Sequence, residues 1–170
     1  MIYLGIDPGL DGALAAVNED GRFVSVLDTP VIKVAKTKGF RREYLLSNMR
    51  QLVLGWATDY AVGLIAMEKV HSMPGQGVAS MFTMGEGVGS WKMLLVCSGL
   101  AHEFVTPQAW KKTLGLPAKA EKGDSILKAQ QLFPEAAPFL ARVKDDGRAD
   151  ALLIAEWARR RALGLIQQVA

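Results

Sequence analysis

The chain of 170 residues is 50% hydrophobic and 22% charged, which excludes a disordered or collagen-like protein and predicts one globular domain over residues 1–170. Its single cysteine, Cys97, excludes an intramolecular disulfide and a cysteine-based zinc site. The formal net charge is only +3, but two segments concentrate basic residues and favour contact with the phosphates of nucleic acid. The first cluster contains Lys33, Lys36, Lys38, Arg41 and Arg42, and the second contains Lys111, Lys112, Lys119 and Lys122.

The N-terminal part predicts three short strands joined by tight turns. Residues 3–7, 13–17 and 23–27 are β-type runs, with Asp-Gly in the first turn and a polar segment ending in glycine in the second. Residues 29–40 show no clear periodicity and are predicted to be a loop. From residue 41 to about 57, apolar residues recur at three- and four-residue spacing, which predicts an amphipathic helix.

The middle of the chain predicts a buried strand followed by a glycine-containing helix. The continuous apolar run 62–67 is typical of a central strand covered on both faces, and Glu68 follows it. After a Gly/Pro-rich loop at 71–77, a helix is predicted from about 78 to 96. Its internal glycines each cost about 1 kcal/mol relative to alanine, which indicates that another backbone approaches there. They are Gly85, Gly87 and Gly89.

The C-terminal part predicts a fifth strand and three helices. Residues 102–105 form the strand, and Thr106-Pro107 supplies an N-cap and a first helical residue for a short helix through residue 112. Further helices are predicted at 125–133 and 150–165. The order of strands and helices therefore predicts an α/β fold with a mixed five-stranded sheet flanked by helices.

Four acidic residues lie at the ends of predicted strands or near the start of the last predicted helix. Asp7 and Glu68 each end an apolar strand, where an unpaired charge is costly unless a cation balances it. Asp146 and Asp150 are four apart and share one face if the helix already includes Asp146. Carboxylates that converge from different elements could hold the two divalent metals of phosphodiester hydrolysis. Two alternatives stay open: Asp7 caps the turn that follows it, and Asp146 or Asp145 caps the last helix.

Four motifs in order resemble those of RuvC-type Holliday-junction resolvases and extend over nearly the whole chain. They are Ile6-Asp7-Pro8-Gly9 with Gly12-Ala13, Glu68 after its apolar strand, Val105-Thr106-Pro107, and the stretch DGRADALL that starts at Asp146. Within that superfamily, residues 73–91 are most similar to the chloroplast resolvase and to related bacterial or phage proteins.

The resemblance implies a ribonuclease-H-like sheet and a homodimer, joined through the helix 78–96, that resolves four-way junction DNA by paired nicks in recombination and repair. It also implies two Mg²⁺ ions per active site, with Mn²⁺ as an alternative ion. The implied ligands are Asp7, Glu68, Asp146 and Asp150. In typical bacterial members the last two acids are three residues apart, but here Gly147 stands three before Asp150. Asp146 is therefore the predicted fourth ligand, and Asp145 remains an alternative.

The resemblance also implies contacts with DNA. The loop 71–77 is expected to enter the junction centre. There the amide of Gln76 would read a base edge, and the imidazole of His71 would stack on a base or bind phosphate. The lysines that follow the Val-Thr-Pro segment contact phosphates, and Lys122 is expected to stabilise negative charge near the scissile one. The implied contact residues are His71, Gln76, Lys111, Lys112 and Lys122.

Three other functions stay open at this point. Residues 7–12 resemble a phosphate-binding hairpin of actin-like ATPases, although 170 residues provide only one of the two domains between which such enzymes bind nucleotide. The second alternative is a non-catalytic module that binds branched nucleic acid. The third is an RNA-processing nuclease of the same fold.

The expected location is the cytoplasm of a bacterial or phage-infected cell, in association with the nucleoid. The opening segment lacks a basic stretch followed by an apolar run, so no secretory signal is predicted. No apolar stretch reaches the ~20 residues of a membrane span, so no membrane contact is predicted either. An organellar origin stays open.

Overall fold

The computed structural model describes residues 1–72, 75, 77–117 and 122–166, and for Lys122 the backbone alone. A central sheet separates two apolar clusters, each covered by helices. The strands and helices are β1 (Ile2–Ile6), β2 (Ala13–Asn18), β3 (Phe23–Asp28), β4 (Val31–Ala35), β5 (Phe40–Tyr44), α1 (Leu46–Asp59), β6 (Val62–Glu68), α2 (Val78–Ser98), β7 (His102–Val105), α3 (Pro107–Thr113), α4 (Lys122–Leu132) and α5 (Asp146–Ala162), with 3₁₀ helices at Pro134–Phe139 and Val143–Asp145.

The central sheet has the strand order β3-β2-β1-β6-β7. Strand β2 is antiparallel to both β1 and β3, whereas β6 is parallel to β1 and to β7. The mixed five-stranded sheet predicted from the sequence is therefore confirmed. Because Ile6 of β1 lies opposite Met67 of β6, the next residue in each segment, Asp7 or Glu68, reaches the same edge of the sheet.

Helix α5 packs directly on the sheet through small residues. A Cβ atom on Gly5 of β1 would lie 2.1 Å from the carbonyl oxygen of Ala151, so the contact requires glycine. The first turn of α5 is equally close to the loop after β1, since a Cβ atom on Gly147 would lie 2.1 Å from the carbonyl oxygen of Asp11. These contacts fix the N-terminal end of α5 beside the sheet edge that carries Asp7.

The prediction of a loop at residues 29–40 is wrong for most of that segment. Strands β4 and β5 pair there as an antiparallel hairpin, with Val31 opposite Tyr44. Because β5 occupies the start of the predicted helix, α1 begins at Leu46 rather than at residue 41. The hairpin is exposed along most of both strands, so it lacks the alternation of apolar and polar residues that marks a half-buried strand.

The other predicted strands and helices are confirmed, with shifts at their ends. Helix α4 begins at Lys122 and α5 at Asp146, each earlier than predicted. The early start of α5 places Asp146 and Asp150 one turn apart on the same helix. Across the described ranges, none of the helices is both long and apolar enough to cross a membrane.

Candidate active site

Asp7 lies just beyond the end of β1, half-buried among other acids. The backbone N–H of Gly9 donates a hydrogen bond of 3.1 Å to Asp7 Oδ1, so one oxygen does cap the turn, as the alternative interpretation expected. Burial, which is the main cause, and the nearby charges of Glu68, Asp150 and Asp146 nevertheless raise the pKa of Asp7 to about 7. The turn contact therefore leaves most of the cost of this charge uncompensated.

Glu68 is oriented by a tryptophan that the sequence did not single out. The indole Nε1–H of Trp110, on α3, donates a hydrogen bond of 3.0 Å to Glu68 Oε1. Trp110 is fully buried, so its ring is held in place and fixes the carboxylate in turn. Burial raises the pKa of Glu68, while the hydrogen bond from Trp110 and the charge of Lys111 lower it. In a sequence, Trp110 is read as an ordinary core residue of a short helix.

Asp150 carries a buried oxygen without a hydrogen-bond partner in the described part of the chain, namely Oδ1. The pKa of Asp150 is raised to about 6 by the balance of several effects, of which burial is the largest. A hydrogen bond from the buried Ser125 of α4 and the charge of Lys111 lower this pKa, whereas Glu68 and Asp146 raise it. Ser125 therefore holds one side of the carboxylate, and the other side has no hydrogen-bond partner among the described residues.

Asp146 and Asp145 have different surroundings, although they are adjacent. Asp145 is 4% exposed, and the guanidinium of Arg142 donates hydrogen bonds of 2.7 and 3.1 Å to its Oδ1. These bonds lower the pKa of Asp145. Asp146 is half-buried on the first turn of α5, and its charge raises the pKa values of Asp7 and Asp150. Asp145 is thus neutralised within the chain, and Asp146 belongs electrostatically to the group formed by the other three acids.

The donor chemistry and charge of this group fit a divalent cation. In the described residues, no three acidic, histidine or cysteine side chains stand close enough to hold one ion without moving. The unpaired Asp150 oxygen and the two raised pKa values mark negative charge that the protein leaves unbalanced. Carboxylate oxygens alone make up the set, which suits Mg²⁺ or Mn²⁺ rather than a metal that prefers nitrogen or sulfur.

Among the predicted DNA contacts, Lys111 lies near the acidic group. Lys111 is half-buried, and its charge lowers the pKa values of both Glu68 and Asp150, so it faces the acidic group. Its Nζ lies 5.2 Å from the ring centroid of Trp110. Among the other predicted contacts, His71 and Lys112 are exposed. Lys122 lies at the start of α4, and its side chain is outside the described part of the structure. Gln76 lies outside the described residues.

Comparison with known proteins identifies the family. Residues 3–156 match the family described as Crossover junction endodeoxyribonuclease RuvC. The chain belongs to this family. A curated relative from Chlamydomonas reinhardtii, "Holliday junction resolvase MOC1, chloroplastic", is 41% identical over 86 residues. That match covers 51% of this chain and 10% of the relative, so the chain spans only a small part of that protein's length.

Solved structures of RuvC-family resolvases share the fold. T. thermophilus RuvC in complex with Holliday junction substrate superposes with a TM-score of 0.62 at 18% identity, covering 97% of this chain and 95% of that one. The fowlpox virus Holliday junction resolvase gives a TM-score of 0.52 at 15% identity, covering 96% and 99%. The ribonuclease-H-like fold expected from the sequence is confirmed, and the family match excludes the actin-like ATPase alternative.

Proposed function

We propose that this chain is a metal-dependent endodeoxyribonuclease that resolves four-way DNA junctions by paired nicks. The observation that carries the proposal is the group of Asp7, Glu68, Asp146 and Asp150 at one end of the sheet, in which Asp150 Oδ1 is buried without a hydrogen-bond partner among the described residues. A chain that used Asp150 only for stability would be expected to satisfy both of its carboxylate oxygens, as it does for Asp145. Membership of the RuvC family gives the substrate class.

The four acids would hold Mg²⁺, with two ions per site and Mn²⁺ as a substitute. When bound, the metal would neutralise the scissile phosphate and activate the attacking water. The protein's own contribution is orientation: Gly9 N–H holds Asp7, Trp110 holds Glu68, and Ser125 holds Asp150.

Basic side chains would hold the DNA against the acids. Lys111 faces Glu68 and Asp150, so its ammonium group can bind a phosphate beside the metal site and offset developing negative charge. Lys112, one residue further on α3, is exposed and would bind a neighbouring phosphate. Lys122 keeps its proposed role at the scissile phosphate, and His71 and Gln76 keep theirs at the junction centre.

The proposed homodimer would form through α2. Much of this helix faces solvent although it is apolar: Phe82 is 76% exposed, Met93 63% and Val96 62%. A Cβ atom on Gly85 or Gly89 would meet nothing within 4 Å, so a second helix can approach there. Glycine is required at position 87 for a different reason, because a Cβ atom there would lie 2.2 Å from the ring of Tyr44 in the same chain. A twofold dimer would present two equivalent sites to two strands of a junction.

Cleavage assays on end-labelled substrates test the proposal. The purified protein is incubated with a four-way junction, a matched linear duplex and a structured RNA, with Mg²⁺, with Mn²⁺ and with EDTA. Symmetric metal-dependent nicks confined to the junction are expected. Tight junction binding without cutting under either metal would instead support the binding module, and cutting of the RNA alone would support the RNA-processing nuclease. A location in a bacterial or phage-infected cell, or in an organelle, remains a prediction.

A further inference from the structure

The β4–β5 hairpin leaves the body of the protein at the edge of the sheet that carries Asp7. At its start, the N–H of Thr29 donates to the carbonyl oxygen of Gly12 at 2.9 Å. At its end, the hydroxyl of Tyr44 donates to the carbonyl oxygen of Pro8 at 3.2 Å. Both ends of the hairpin are therefore fixed to the loop that follows β1, beside the proposed metal site.

A bidentate ion pair extends this attachment into the hairpin. The two terminal guanidinium nitrogens of Arg42 donate to the two carboxylate oxygens of Asp11, at 2.5 and 2.9 Å. Asp11 lies in the same loop as Pro8, and a planar two-point contact of this kind fixes orientation as well as distance. The hairpin is thus held in a defined direction up to Arg42, and the part beyond it projects into solvent.

The projecting part is exposed and basic. Lys36 and Lys38 lie in the turn, which the N–H of Lys36 closes by donating to the carbonyl oxygen of Gly39 at 3.1 Å. Within the described part of the chain, neither lysine side chain forms an ion pair, whereas Arg41 and Arg42 pair with acids. Lys33 adds a third ammonium group, 4.8 Å from the ring centroid of Phe40. The tip therefore presents positive charge that no acid of the described chain neutralises.

We propose that this hairpin is a DNA-binding arm that contacts the phosphate backbone of one duplex arm of the junction. The inference rests on the proposed function, because that function brings duplex DNA to the sheet edge from which the hairpin projects. From Tyr44 to Phe40 a strand rises roughly 13 Å at ~3.3 Å per residue. Duplex DNA rises ~3.4 Å per base pair, so a hairpin that runs along the duplex places its tip at phosphates about four base pairs beyond the point where it leaves the sheet edge.

The charge pattern favours nucleic acid as the occupant. Between Val31 and Tyr44 the sequence contains the five basic residues of the first cluster and a single acid, Glu43, which pairs with Arg41. Lysines on a turn, without acidic partners, suit a backbone of regularly spaced phosphates and give little sequence preference. The hairpin would therefore add affinity for a duplex arm without selecting the sequence at which the strand is cut.

Binding measured in EDTA tests the inference without cleavage. The double variant Lys36→Gln/Lys38→Gln removes two exposed charges from the turn, and Arg22→Gln is the control, because it removes one exposed charge at the opposite end of the sheet. The slope of log Kobs against log salt is expected to become shallower by about 2 in the double variant, at ~0.9 per phosphate, and to stay constant in the control. Hydroxyl-radical footprinting should show protection about four base pairs along the arm in the wild type and not in the double variant.

The length of the DNA arms distinguishes binding by the hairpin tip from a general effect of lost charge. On junctions whose arms end before the tip can reach, the wild type and Lys36→Gln/Lys38→Gln are expected to bind equally. An unchanged salt slope and footprint in the double variant, or an equal loss of affinity on short and long arms, would overturn the inference. A wild-type chain that binds the long-armed junction but cuts none would contradict the nuclease proposal and leave the hairpin test valid. A wild-type chain that binds no four-way junction would overturn both.

Discussion

Two acids near opposite ends of α5, Glu156 and Asp150, have opposite surroundings. Toward the C-terminal end, Glu156 is 4% exposed and accepts hydrogen bonds of 2.8 and 2.9 Å from Arg159 and one of 2.6 Å from Arg160. Toward the N-terminal end, Asp150 has a buried oxygen without a partner in the described part of the chain, and its pKa is raised to about 6. The same helix thus neutralises one acid internally and leaves the other charged against its neighbours.

The contrast between Glu156 and Asp150 distinguishes an acid with a structural role from an acid that is available to bind a ligand. A buried carboxylate is tolerated when its hydrogen bonds and charge are satisfied, as those of Glu156 are by two arginines. At Asp150 the neighbouring charges of Glu68 and Asp146 add to the cost of burial. Such an arrangement lowers stability unless a cation binds. Mutations near Asp150 are therefore expected to change function, whereas mutations near Glu156 are expected to change stability.

Cleavage should respond most strongly to changes in the acids of the proposed metal site. Asp7→Asn and Asp150→Asn keep the shape of the side chain but remove a negative charge from the proposed metal site, so the rate of junction cleavage should fall by more than about 100-fold. Binding to the junction, measured in EDTA, should remain within about twofold of the wild type, since the phosphate contacts are retained. Unaltered cleavage in either variant would remove that residue from the proposed ligand set.

A smaller effect is expected at the tryptophan that orients Glu68. Trp110→Phe removes the indole donor but keeps an aromatic ring, and loss of an outer partner of a metal ligand typically weakens metal affinity by about 10- to 100-fold. Mg²⁺ affinity would be measured by titration calorimetry without DNA, alongside cleavage. Trp91→Phe is the matched control, because Trp91 is also fully buried but its Nε1 has no hydrogen-bond partner in the described residues. Equal Mg²⁺ affinities in the two variants would show that Trp110 acts only in packing.

At the other end of α5, stability rather than cleavage is expected to change. Glu156→Gln leaves two arginines without their carboxylate, and the free energy of unfolding should fall by about 2 kcal/mol. This is less than the ~3–5 kcal/mol of a fully buried pair, since the Arg159 and Arg160 side chains are 15% and 30% exposed. Urea denaturation at pH 7 measures the change. Cleavage at a temperature where the variant is folded should match the wild type, and a variant that is folded but inactive would contradict the structural assignment of Glu156.

The sequence predicted the acids better than the residues that support them. Asp7 and Glu68 could be found because each ends an apolar strand, and parallel neighbouring strands bring such residues to one edge. Trp110 and Ser125 could not, because a tryptophan in a short helix and a serine near a helix start have ordinary structural roles unless the tertiary contact is known. The sequence named Asp146 as the fourth ligand but left Asp145 open, and the ion pair of Asp145 with Arg142 is the tertiary contact that favours Asp146.

The fold shows the same division between buried and exposed segments. The five strands of the central sheet were predictable because their apolar residues are buried on at least one face. The β4–β5 hairpin was not, because Val31 and Ile32 are 36% and 45% exposed and the basic residues beside them hide the strand pattern. Segments that project from the core are governed by turn geometry and a few anchoring contacts, which sequence periodicity does not report.

The last expected effect is a pH dependence of stability in the absence of metal, which arises from Asp7 and Asp150. The pKa values of Asp7 and Asp150 are raised from 3.8 to about 7 and about 6, so between about pH 4 and pH 7 the folded chain binds more protons than the unfolded chain. Stability should therefore fall as pH rises through this window, since ionisation places unbalanced charge in the site. In EDTA the Tm is expected to be several degrees lower at pH 8 than at pH 5, given ~2–4 °C per kcal/mol for a chain of this size.

Mg²⁺ and the Asp7→Asn variant identify the source of that pH dependence. Mg²⁺ binds the ionised acids, so it should raise the Tm at pH 8 and have little effect at pH 5. Asp7→Asn removes the acid with the more strongly raised pKa, so the fall in Tm between pH 5 and pH 8 should be smaller in EDTA. Glu156→Gln should shift the whole Tm curve down without changing this part of its slope. A wild-type Tm that is flat from pH 5 to pH 8 in EDTA would mean that the acids near Asp7 are balanced within the chain, and the contrast between the two ends of α5 would then lose its electrostatic basis.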